Sequence, residues 1–138
     1  MVEMINLNVR IGVILAEAEN ARPGIRGHAE RVAVYSVAVG HRLGIDAPTL
    51  LRIRITAELQ VIEVSDSELV ELFADDPIIL EIVALCAEFD RRRFGFKHPQ
   101  MTDSECVTWL DTEARSLYVD KTVDALLAVQ SVIQPIGT

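Results

Sequence analysis

The sequence predicts an all-α fold, a compact single-domain bundle of about six or seven helices spanning residues 1–138. Three observations carry that expectation. Half of the chain is apolar and only 5% is aromatic, so the apolar content comes mostly from Val, Leu, Ile and Ala, which suits packed helices. Helix start and stop signals recur at helix-length intervals. No alternating apolar and polar run of strand length occurs. The valine-rich stretch Val32–Val39 has β-branched residues, but its charged flanks Glu30-Arg31 and His41-Arg42 and its length favour a helix.

The first helix is expected from about Met4 to Ala21, with Ile5, Val9, Gly12, Val13 and Ala16 as its apolar face. Arg22-Pro23-Gly24 stops it, because proline cannot continue the hydrogen-bond ladder. A second helix should run from Gly27 to Leu43, burying Val32, Tyr35, Ser36, Val39 and Leu43 and ending at Gly44. Asp46 is placed as the N-cap of the third, with Pro48 in its first turn and Leu51, Ile55, Leu59 and Ile62 along one stripe. Ser65-Asp66-Ser67-Glu68 opens a fourth, and Asp75-Asp76-Pro77 a fifth that reaches about Arg91. Phe94 to Gln100 reads as a loop. Thr102 and Glu105 form a capping box for a sixth helix, and a seventh runs from about Asp120 to Ile133.

Charge and cysteine content narrow the function classes. A net charge of −8 argues against nucleic acid, whose phosphates need a clustered basic surface. Cys86 and Cys106 lie in apolar stretches without a CxxC element, so they read as buried thiols. No signal pattern opens the chain and no apolar run approaches a membrane span, which places the protein in the cytoplasm without membrane insertion. His98 has no Cys, Asp or Glu at ligand spacing, and His41 reads as a helix-end cation. Neither predicts a metal.

Three blocks carry a resemblance to a known family. The first is Leu15–Arg22 followed by Gly27-His28-Ala29-Glu30-Arg31-Val32-Ala33. The second is Leu51–Ile62, and the third pairs Ile82–Asp90 with Tyr118–Leu127. In this order they resemble the HD-GYP branch of the HD superfamily, whose active members hydrolyse cyclic di-GMP at a metal site. The resemblance places His28 at the first metal-ligand position. Glu58 and Leu59 stand where the His-Asp doublet belongs, and Ala87 stands at a later metal-binding Asp. The Gly-Tyr-Pro segment has no counterpart, and the connection from Gln60 to Pro77 looks shortened.

Leucine and alanine coordinate nothing, and one histidine does not hold a catalytic metal. The expectation is therefore a degenerate, catalytically inactive module without cofactor or metal. It would act through an unidentified protein partner in bacterial signalling, as a stand-alone adaptor and a homo-oligomer, with a dimer expected. Its vestigial pocket would comprise His28, Arg31, Glu58, Leu59 and Ala87, and Glu58 could reach His28 or Arg31 there. Arg91-Arg92-Arg93-Phe94, with Phe96 and Lys97, is the most distinctive basic segment and the candidate interaction patch. Its bland alternative is a solvated helix end with the phenylalanines folded onto the core. A second functional expectation is a nucleotide or cyclic-dinucleotide sensor, with phosphates held by Arg26, Arg31, Arg54 or Arg91–Arg93.

Overall fold

The computed structural model describes residues 2–60 and 76–131. Within them the chain is a small all-α bundle without strands. Its helices are α1 Val2–Ala21, α2 Ile25–Arg42, α3 Ala47–Gln60, α4 Pro77–Phe94, α5 Asp103–Asp111, α6 Glu113–Leu117 and α7 Asp120–Val129. None of the described helices is long and apolar enough to cross a membrane. The helix start at Ser65–Glu68, the outer stripe position Ile62 and the terminal Ile133 lie outside the described residues.

Helix α2 is central and touches α1, α3, α4 and α7. Its buried face carries Val32, Tyr35, Ser36 and Val39, as the spacing predicts. The helix starts at Ile25, two residues before the expected Gly27, because the Glu19 carboxylate accepts the N–H groups of Gly24 (2.9 Å) and Arg26 (3.0 Å). Those bonds supply acceptors for N–H groups at the helix start and hold the Glu19 carboxyl below the ordinary range. At the other end Gly44 has φ +82°, a left-handed conformation suited to glycine.

Two apolar clusters result. The larger joins α2, α3, α4, α5 and α7 through residues such as Val39, Ile53, Ile82, Leu110 and Leu126. The smaller packs Ile11 and Leu15 of α1 against Ile25, Ala29, Ile55 and Leu59. The face of α1 is a correction to the sequence reading. Val9 and Val13 are 61% and 51% exposed, while the buried stripe runs through Leu7, Ile11, Ile14, Leu15 and Ala18. Apolar residues encircle this helix, and the stripe with the larger leucine and isoleucine side chains wins the core.

The last helices follow local signals closely. Asp46 Oδ1 accepts the Thr49 N–H at 2.9 Å, and Asp76 caps α4 with Pro77 in its first turn. Helix α4 continues three residues past Arg91 to Phe94 and is stopped by Gly95 at φ +73°. The short α6 was not expected, since five residues are too few to show periodicity. Cys86 and Cys106 are both buried free thiols, and burial pushes Cys86 up to about 12.

The capping box of α5 is present in both directions. Thr102 Oγ1 accepts the Glu105 N–H at 3.1 Å, and a Glu105 carboxylate oxygen accepts the Thr102 N–H at 2.9 Å. Thr102→Ala should lower stability by about 1 kcal/mol in chemical denaturation, the usual cost of losing a hydroxyl cap.

Candidate functional site

Residues 28, 31 and 35 of α2 follow helical spacing and face α4. There they meet Asp90, a fully buried carboxylate. His28 Nδ1 lies 2.6 Å from Asp90 Oδ2. Arg31 donates from Nε to Oδ1 at 2.7 Å and from Nη2 to Oδ2 at 3.1 Å. Both carboxylate oxygens are thereby engaged, which satisfies the requirement that a buried charge be paired and hydrogen-bonded.

Aromatic rings close this cluster. Phe96 stacks on the His28 imidazole with centroids 4.7 Å apart, and the Arg31 guanidinium lies 3.9 Å over the Phe94 ring. His28 is fully buried, and its Nε2 has no hydrogen-bond partner. One turn further along, Arg93 Nη1 donates to the Tyr35 hydroxyl at 2.8 Å and Nε reaches Asp103 at 3.2 Å. Tyr35 in turn packs edge-on against Phe89. Two polar rungs therefore tie α2 to α4.

The expected vestigial pocket is only partly assembled. His28 and Arg31 come together, but on Asp90 rather than Glu58. Glu58 instead sits 3.8 Å from Arg54. Burial pushes its carboxyl up, Arg54 offsets part of that, and the Glu30 carboxylate adds to it. Leu59 is fully buried in the smaller apolar cluster. Ala87 is buried in the larger one and borders a separate cavity of about 240 Å³ with Leu80, Arg91 and Tyr118.

The Arg91–Lys97 segment is not a free basic patch. Arg91 and Arg92 both pair with Glu88, and Arg92 also lies 4.1 Å over the Trp109 ring. Burial pushes the Glu88 carboxyl up, but Arg92 and Arg91 outweigh it and hold it below the ordinary range. Phe94 and Phe96 are consumed by Arg31 and His28, leaving Lys97 exposed. The reason is local: Glu88 stands three and four residues before the first two arginines, within ion-pair reach on a helix. His98 shares its Nδ1 with the Pro99 carbonyl at 2.7 Å, and His41 is exposed in the last turn of α2. Among the described residues no group of three or more His, Cys, Asp or Glu is arranged to hold a metal ion.

Asp90 is the site residue that the sequence does not single out. Its signal lay in the spacing, since Asp90 falls four residues after Cys86 and seven after Val83, on the buried stripe of α4. A carboxylate at such a position demands a cationic or donor partner. Outside this closed cluster, a groove of about 1220 Å³ runs along α2, floored by Val34, Val37 and Ala38 and bordered by α3 and Val129.

The chain matches no family profile, no curated protein and no solved structure.

Asp90→Ala should cost about 3–5 kcal/mol in urea denaturation, because it strands a buried guanidinium and imidazole. Glu58→Gln should act in the opposite direction. A carboxyl whose pKa is raised on folding contributes stability at low pH and loses it as pH rises through the folded value. The neutral amide removes that loss, so the melting temperature should rise at neutral pH and the gain should fade as pH falls through the carboxylate range.

Proposed function

We propose that this chain is a catalytically inactive, HD-GYP-like interaction module that works in cytoplasmic signalling by binding protein. The observation that carries the reading is the commitment of His28. The single metal-ligand residue retained by the resemblance has one ring nitrogen on Asp90 and its face under Phe96. Leu59 and Ala87, at two further ligand positions, are packed into core. The other ring nitrogen, Nε2, has no partner, and among the described residues no group of three or more His, Cys, Asp or Glu is arranged to hold a metal ion.

The electrostatics also favour protein over nucleotide. The arginines expected to hold phosphate already have carboxylates: Arg26 has Glu30, Arg31 has Asp90, Arg54 has Glu58, Arg91 and Arg92 have Glu88, and Arg93 has Asp103. Phosphate binding at any of them would have to break its pair on a chain of net charge −8.

Purified protein assayed for bound Mn, Fe, Ni and Zn, and for hydrolysis of cyclic di-GMP with each metal added, tests the reading. The expected result is metal well below one ion per chain and no turnover. Stoichiometric metal accompanied by hydrolysis would overturn it.

A further inference from the structure

The groove along α2 owes its shape to side-chain size. Ala33, Val34, Val37 and Ala38 form its floor, and the longer Arg54 and Glu58 of α3 stand at its side with Val129 of α7. Short side chains beside long ones leave a volume of about 1220 Å³. Positions 30, 34, 38 and 42 recur at intervals of four, and positions 33, 37 and 41 do the same, so two neighbouring ridges of one helix line the groove. Val34 is 40% exposed, and Val37 and Ala38 are half-buried beside it. Among the described residues no aromatic ring lines the groove, so a flat ring system finds no stacking partner there. An aliphatic ligand fits this lining.

The charged residues around the groove differ in what they already hold. Glu30 lies 3.0 Å from Arg26 and Glu58 3.8 Å from Arg54, whose Nη2 also donates to Asn8 Oδ1 at 2.8 Å. Those charges balance one another. Arg42 is different: it is exposed, lines the groove and makes no ion pair among the described residues. The exposed His41 precedes it in the last turn of α2. Among the described residues the unpaired charge on this lining is therefore positive, on a chain whose net charge is −8. An exposed ion pair alone contributes little, so an anion needs an apolar body to be retained here. Val34 and Arg42 lie about 12 Å apart along the helix axis, a distance that an extended chain of about ten carbons spans.

We infer that the α2 groove binds an aliphatic carboxylate of about ten carbons, its alkyl chain lying on Val34, Val37 and Ala38 and its carboxylate meeting Arg42. The apolar floor supplies the affinity. The guanidinium fixes the direction, since it donates to a carboxylate and repels a cation at the same place. At the opposite end the pairs Glu30–Arg26 and Glu58–Arg54 are neutral and favour neither sign. This site lies apart from the His28–Asp90 cluster. It goes beyond the interaction-module reading and does not depend on it.

Amide NMR and titration calorimetry with decanoate, decyltrimethylammonium and acetate test the inference, with circular dichroism melting to confirm that each variant is folded. Decanoate, kept below its micellar concentration, should shift the amides of residues 33–42 and saturate at one molecule per chain. Acetate lacks the alkyl chain and decyltrimethylammonium carries the wrong charge, so each should bind at least about tenfold more weakly. Arg42→Gln should weaken decanoate binding about fivefold. Val34→Glu, at an exposed position, sets a carboxylate in the path of the alkyl chain and should weaken it about a hundredfold. Decanoate that leaves the α2 amides unmoved, decyltrimethylammonium that binds as tightly, or an affinity unchanged in either variant would overturn the inference. The metal and hydrolysis assays of the interaction-module reading are read separately, so failure of one leaves the other standing.

Discussion

The Asp90 carboxylate is the constraint around which this bundle is arranged. It lies in the interior of α4, fully buried, and a lone carboxylate there would carry a large desolvation cost. Three groups on α2 and its neighbours answer it: His28, the Arg31 fork, and the aromatic pair that covers them. The register between α2 and α4 is thereby fixed. A slide of one turn would separate the carboxylate from both partners and leave three polar groups unpaired. Apolar packing alone tolerates such slips far better, because one aliphatic contact resembles another. The Tyr35–Arg93 contact repeats the tie one turn along and sets where α4 meets α5 through Asp103.

The same tie engages the most reactive groups of the interior. An imidazole and a carboxylate in contact are the raw material of metal and acid–base sites. Here the guanidinium fork occupies the remaining carboxylate capacity, and Phe96 covers the imidazole. His28 Nδ1, Arg31 and Asp90 thus hold α2 against α4. The outer side of α2 differs, because Val34 is 40% exposed there beside half-buried Val37 and Ala38, and burial pushes the nearby Glu58 carboxyl up. A helix whose inner face fixes the fold and whose outer face is left half-apolar can place a partner without altering the core.

Much of the fold was legible from local chemistry. Thr102 with Glu105, Asp46, Asp76-Pro77 and Gly44 announced their helix ends, since each acts through backbone groups within a turn of itself. Leu59 was legible as core for a similar reason, through its stripe with Ile55. The face of α1 was not, because a helix apolar on several sides leaves the choice to tertiary packing. The site was legible only in half. His28 and Arg31 were visible as residues that need a partner, but Asp90 lies 62 positions from His28, and no local pattern reports that distance. The arginine run was read as a surface patch, whereas Glu88 and the rings of Trp109 and Phe94 draw it inward.

The central claim is that His28 is a structural residue locked on Asp90. Heteronuclear NMR of the histidine ring nitrogens during a zinc titration tests it most directly. The His28 signals should report a persistent Nδ1 hydrogen bond and stay unmoved while exposed His41 responds. A zinc-dependent shift of the His28 ring nitrogens at stoichiometric metal would contradict the account and place a metal at the heart of this bundle.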